Sequence, residues 1–158
     1  MLFQCEKMAN ILNQDFSEFI VALNDANVDY LLVGGFAVIY HGYNRTTGDI
    51  DIWVNPTADN FKKLRIAFAN FGLSLFDMTE DKFLNTIDYD VFTFGVPPVC
   101  IELLTKVKGV EFQSCFAEAS FQKFDNIDVK IIDLRNLILA KKAAGRFKDL
   151  DDIQHLDV

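Results

Sequence analysis

Several large protein classes are excluded by what this sequence lacks. No run comes near the ~18 consecutive apolar residues of a membrane-crossing helix, so no membrane partner is expected. With three prolines and no Pro/Gly/Ser-rich stretch, nothing divides the 158 residues, and one domain spanning 1–158 is expected. Its core is placed at about 15–132 and a C-terminal helical segment at about 133–158. Cysteine is scarce: Cys5, Cys100 and Cys115 are an odd set with no CxxC pair, which fits buried or incidental thiols in a reducing cytoplasm. Met1–Lys7 has neither the basic start nor the long apolar stretch of a signal peptide, so a cytoplasmic location is expected. Positive charge is also short. Fifteen Lys and Arg face 23 Asp and Glu, a net charge of −8, which gives no general attraction to phosphate backbones and argues against a non-specific nucleic-acid binder. Apolar residues, by contrast, make up 51% of the chain and include 16 Phe, ample for a sizeable core.

Residues 15–27 read as a helix, because Phe16, Phe19, Ile20 and Leu23 recur at helical spacing after Ser17 and Glu18 near the start. Tyr30–Val33 is a continuous apolar run, the pattern of a strand buried on both faces. Gly34-Gly35 breaks it ahead of a short apolar helix that ends near Gly42. After a polar loop over 43–48, Asp49–Val54 alternates as a strand, and Asn55-Pro56-Thr57 opens a helix to about Asn70 that Gly72 stops. Residues 88–94 and 99–104 read as strands joined by Gly95-Val96-Pro97-Pro98, and 109–120 as a helix. Residues 121–124 and 127–132 form a second strand pair, and helices follow at about 133–144 and 148–156 around Gly145. This order predicts an α+β fold, a mixed sheet covered by helices with two helices at the C-terminus, rather than a doubly wound parallel sheet.

The residues with chemistry cluster in four places. In Asp49-Ile50-Asp51 the two acids lie on one strand face, roughly 6.5 Å apart at Cα. Carboxylates that close repel, and a bound cation relieves them; their oxygens suit Mg²⁺ or Mn²⁺. The alternative is the solvated face of an edge strand. Gly34-Gly35, between a strand and a helix, lets the backbone approach an anion closely, although a plain structural turn explains it too. Glu102 is a single charge in the apolar strand 99–104, either a third acid beside Asp49 and Asp51 or an outward-facing surface group. Lys130, Arg135, Lys141, Lys142, Arg146 and Lys148 face only Asp133 over the same stretch. Lys141 continues the apolar stripe of Leu134, Leu137 and Ile138, so it must snorkel outward or meet a phosphate or the Asp cluster. Arg146 and Asp149 either brace the helix pair or touch substrate, and Asp152 reads as half of a structural salt bridge. His41 reads as a packed or capping residue, and neither it nor His155 has zinc-ligand spacing. No GxSxG, GxxxxGK[ST] or GxGxxG occurs, so no histidine base is required.

Val33-Gly34-Gly35-Phe36-Ala37, followed by Arg45-Thr46-Thr47-Gly48-Asp49-Ile50-Asp51, resembles the signature of the nucleotidyltransferase superfamily typified by DNA polymerase β. The small bacterial branch of AbiEii-type and MNT-type toxin–antitoxin proteins is the most similar in look. Ala140–Ile153 is similar to that branch's K…R-x-KD-x-x-D tail. The resemblance spans about 28–54 and 99–156. It implies a single nucleotidyltransferase-like domain that moves an NMP from an NTP to an acceptor hydroxyl and releases pyrophosphate. It implies that Asp49, Asp51 and Glu102 hold Mg²⁺ (or Mn²⁺). Gly34 and Gly35 would present amides to the phosphates, with Arg45, Lys141 and Arg146 as nucleotide-binding cations. The acceptor is left open among a protein, a tRNA end and a small molecule such as an antibiotic, and a toxin–antitoxin partner protein is a further expectation. Two departures stand out. Gly35 replaces the serine of the GS form, removing a hydroxyl able to contact phosphate, and Glu102 stands where many relatives have Asp. With no large extra domain to select an acceptor, the alternative is a catalytically weak nucleotide-binding or toxin–antitoxin-type interaction module.

Overall fold

The computed structural model describes residues 12–156, so Met1–Lys7 and Cys5 lie outside the described residues. Helix α1 (Gln14–Asp25) opens on Asn13, whose side chain accepts from the Phe16 N–H at 2.8 Å. It ends two residues sooner than its apolar spacing predicts, because the chain turns at Ala26 and at Asn27, which takes φ 56°. Strand β1 (Tyr30–Val33) is buried along its whole length, and helix α2 (Gly34–Tyr40) begins on the next residue. Strand β2 (Ile50–Val54) leads to helix α3 (Ala58–Phe71). The α3 helix is capped by Thr57 Oγ1 on the Asn60 N–H and closed by Gly72 at φ 91°.

A short helix absent from the sequence reading, α4 (Glu80–Leu84), starts at the Thr79 cap and buries only Phe83. Strands β3 (Val91–Val96) and β4 (Val99–Leu104) form the expected hairpin, with Gly95 and Val96 still inside the first strand. Helix α5 (Phe112–Glu118), strands β5 (Ser120–Phe124) and β6 (Ile127–Ile131), and helices α6 (Leu134–Ala144) and α7 (Phe147–Leu156) complete the chain. No described helix is long and apolar enough to cross a membrane.

The six strands make one mixed sheet in the order β3-β4-β2-β1-β6-β5, and the fold is α+β as expected. The β1 strand is antiparallel to β2 and parallel to β6, while β2 runs parallel to β4. Period-two alternation sorts β2 onto two faces. Ile50, Ile52 and Val54 are fully buried on the face where Phe94 meets Phe68 of α3 at 4.9 Å, and Phe68 in turn meets Phe19 of α1 at 5.5 Å. On the other face Trp53 packs edge-on against Phe112 of α5 at 5.3 Å. Asp51 shares that second face.

The end of the β1–β2 pair remote from Asp51 is locked by one side chain. Asn60, buried, accepts from the Asp29 N–H at 2.8 Å and donates to the carbonyls of Asp29 (3.0 Å) and Asn55 (2.9 Å). Three bonds from one amide hold the entry of β1 to the exit of β2, which fixes the register on which the site depends.

Candidate active site

Register brings two of the predicted acids together. Val33 stands opposite Asp51, and the parallel β2–β4 pairing sets Glu102 beside Asp51. Residues in register on neighbouring strands emerge on the same face, and these two carboxyl groups share a hydrogen bond. Burial, then that bond and the charge of Glu102, raise the Asp51 carboxyl to about 7, with Lys148 opposing the shift.

Asp49 lies on the bend before β2, exposed, one rung away on the same face. Its carboxylate accepts from the Cys100 thiol, two residues before Glu102 in β4. Desolvation, then the charges of Asp49 and Glu102, push that thiol up. The three acids are thus a pair plus one. Among the described residues no three His, Cys, Asp or Glu side chains converge as a ready-made metal cage. The pair nonetheless suits a hard divalent cation, because it offers oxygen donors only and carries a like-charge conflict that a cation would remove.

The two glycines are there for contact. Gly34 takes φ 67°, and a Cβ on it would overlap the Asp51 carboxylate, so any other residue is strained and displaces the acid. A Cβ on Gly35 would overlap the Thr47 side chain. Above the acids opens a polar cleft of about 640 Å³, lined among others by Gly35, Thr47, Asp49, Arg146 and Lys148. A second, half-enclosed cavity of about 230 Å³ runs from the same acid pair beneath α6, with Val33, Leu104, Ile132, Leu137 and Ala140 in its wall. His41 caps α2, and its Nε2 lies 2.7 Å from the Ile132 carbonyl oxygen, a packing role.

Most of the cations near the cleft are engaged with carboxylates. Lys141 is buried, with Nζ 3.2 Å from Asp149 Oδ1 and 3.0 Å from Asp152 Oδ2. Its partners are therefore the acids of α7 rather than Asp49 and Asp51, and it does not snorkel. Arg45 forks onto Asp152, Nε to Oδ1 at 2.8 Å and Nη2 to Oδ2 at 3.0 Å, which confirms the structural role read for Asp152. Arg146 Nε donates to Asp149 Oδ2 at 2.7 Å, while the same side chain lines the cleft. Burial alone would raise the Asp149 carboxyl, but hydrogen bonds from Arg146 and Lys141 outweigh it and hold the group below its ordinary range.

Two site residues escape sequence reasoning. Lys148 lines both cavities, acts on Asp51 and has no ion-pair partner among the described residues. In the sequence it belongs to the C-terminal basic excess and to the R-x-KD-x-x-D tail, neither of which assigns it a role. Thr47 stands within the Arg45–Asp51 signature, where its sequence position alone gives it no role.

This six-stranded mixed α+β fold is shared with a solved nucleotidyltransferase. The crystal structure of the lincosamide antibiotic adenylyltransferase LnuA, lincomycin-bound, matches it with a TM-score of 0.60 and 16% sequence identity. That match covers 92% of this chain and 96% of the LnuA chain, and at this identity it is a likeness of fold. An antigenic nucleotidyltransferase-like protein from Paracoccidioides brasiliensis matches with a TM-score of 0.45 and 17% identity over 90% of this chain and 73% of that chain. No protein-family model and no curated protein sequence matches the chain.

Proposed function

We propose that the protein is a metal-dependent nucleotidyltransferase that moves an NMP from an NTP to an acceptor hydroxyl. The acceptor oxygen bonds to the α-phosphorus, the bond from that phosphorus to the bridging oxygen breaks, and pyrophosphate leaves. The observation that carries this reading is the Asp51–Glu102 carboxyl pair, packed under Gly34 and sharing a polar cleft with Lys148, which has no ion-pair partner among the described residues.

Asp51 and Glu102, with Asp49 on the adjoining rung, would hold Mg²⁺ or Mn²⁺. When bound, such an ion polarises phosphoryl oxygens and lowers the pKa of an acceptor hydroxyl. The chain supplies the rest. Gly34 and Gly35 would turn backbone N–H groups of the α2 N-terminus toward phosphate oxygens, beside the Asp51 carboxylate and the Thr47 hydroxyl that occupy the space of their missing side chains. Lys148 and Arg146 flank the polar cleft and attract the triphosphate, while the charges of Arg45 and Lys141 are met by Asp152 and Asp149 behind them, so those two act by holding the wall of the cleft.

In-line displacement needs the acceptor and the pyrophosphate on opposite sides of the α-phosphorus. The polar cleft and the partly apolar cavity both reach the acid pair, and we assign the triphosphate to the first and the acceptor to the second. The cavity suits the uncharged body of a small hydroxylated acceptor better than a protein side chain or a tRNA end, and the fold likeness to a lincosamide adenylyltransferase supports that choice. The finer AbiEii/MNT placement, with a toxin–antitoxin partner, is supported by the sequence motifs alone. Free Cys100 and Cys115 support a cytoplasmic location. No observation favours the module without turnover.

The test is incubation with labelled NTPs, Mg²⁺ and host lysate, then with lincomycin as a defined small acceptor, following label transfer and pyrophosphate. Transfer by the native chain and none by Asp51→Asn is the expected result. Absence of pyrophosphate release with all four NTPs in the lysate rejects the reading.

A further inference from the structure

We propose that the Thr47 hydroxyl is a phosphate-binding donor of the nucleotide cleft, held in place over Gly35 by Arg45, which acts through Asp152. The inference rests on the nucleotide reading of the cleft above. Thr47 Oγ1 and Cβ occupy the space that a Cβ on Gly35 would need. Gly35, unlike Gly34, has an ordinary backbone conformation, so the Thr47 side chain alone keeps position 35 free of a side chain. That hydroxyl has no hydrogen-bond partner among the described residues, and it lines the polar cleft together with Asp49, Asp51 and Lys148. A half-buried hydroxyl with no partner, beside an acid pair and a free lysine, is suited to donate to an anionic oxygen.

The loop that carries it is tied down on one side. Tyr43 donates to Asp151 Oδ2 at 2.8 Å and stacks on His155 with ring centroids 3.9 Å apart. Arg45 forks onto the buried Asp152 and donates through Nη1 to the Thr46 carbonyl at 3.0 Å. Tyr43 and Arg45 are both anchored on α7 shortly ahead of Thr47 in the chain, so they set where its hydroxyl points. Arg45 is thus a positioning residue. Its guanidinium is occupied by Asp152 and the Thr46 carbonyl, which leaves the contact with phosphate to Thr47.

The test measures binding of inorganic tripolyphosphate in Mg²⁺ buffer by calorimetry, which requires no turnover. Thr47→Val keeps the shape and removes only the hydroxyl; it should weaken binding about tenfold, the loss of one charge-assisted hydrogen bond. Gly35→Ser combined with Thr47→Gly puts a hydroxyl back into the same space from the other side, and should return affinity to within about threefold of native. Arg45→Gln should speed amide exchange over residues 43–48. In the Thr47→Val background it should cost no further affinity, because the two residues act on one contact. Native affinity in Thr47→Val, or failure of the double variant to improve on Thr47→Gly, overturns the assignment. Additive losses from Arg45→Gln and Thr47→Val overturn the positioning role, and so does unchanged exchange. A native chain that does not bind tripolyphosphate also overturns it. Thr47-dependent binding without transfer on any acceptor would instead sink the proposed activity alone.

Discussion

Two clusters of charge face each other across the cleft, and they are built on opposite rules. On the sheet, Asp51 and Glu102 are like charges pressed together, and burial with mutual repulsion drives Asp51 up to about 7. On the helices, Asp149 and Asp152 are more deeply buried, yet Lys141, Arg45 and Arg146 satisfy them, and Asp149 is held below its ordinary range. A balanced buried network holds a fold together, while an unbalanced pair leaves a charge deficit that a ligand can fill. The contrast separates acids with cationic partners from acids that have only each other, around one cleft.

The sharpest way to break this distinction is Asp51→Asn. Nucleotidyl transfer should fall by about 10³-fold or more in a pyrophosphate-release assay. Stability should move the other way. Because the folded state raises the Asp51 pKa, the native chain holds a proton that the unfolded chain has released between roughly pH 4 and 7, and so loses stability as pH rises through that window. The amide has no such proton, so the variant should gain roughly 1–3 kcal/mol at pH 8, shrinking to nothing near pH 4, in denaturant titrations.

Asp149→Ala tests the opposing cluster, and should cost about 3 kcal/mol by the same titration because Lys141 loses one of its two buried counter-charges. Here the sign reverses. A depressed carboxyl contributes stability that is present above its ordinary pKa and lost as pH falls through the lower folded value, so native and variant should converge in acid. If Asp149→Ala were stability-neutral at pH 7, the helices would lose their claim to a structural network. The smallest effect on the fold belongs to Lys148→Gln, which should shift stability by less than about 0.5 kcal/mol at this exposed position while raising the KM for NTP several-fold. A KM equal to native would remove Lys148 from the cleft's chemistry.

The legible parts of the sequence share a cause: patterns of short range. Tyr30–Val33, the two glycines and the alternating acids write β1, its turn and β2 into some two dozen residues, and the register of neighbouring strands then makes Glu102 a natural companion. Helix α4 was hidden because one and a half turns burying only Phe83 leave no periodicity to see. The sheet order and the partner of Lys141 depend on contacts between distant segments. Helical phase shows correctly that Lys141 faces inward, but nothing local tells that α7 folds back with two acids to meet it. Thr47 sits in the quoted motif but its role is unreadable there for the complementary reason: the space it fills is defined by the missing side chain of Gly35, and an absence shows its use only when the neighbour is seen.

The pairing of β2 with β4 has a further consequence for how the acid pair comes into being. Its two acids lie at opposite ends of a long excursion through α3, α4 and β3, so a chain that has built only its first half owns Asp51 but no Glu102 beside it. The carboxyl pair therefore assembles only after β4 has been made and its parallel contact with β2 has closed, a pairing that no local hairpin can template. A chain cut before β4 carries Asp51 without its neighbouring acid.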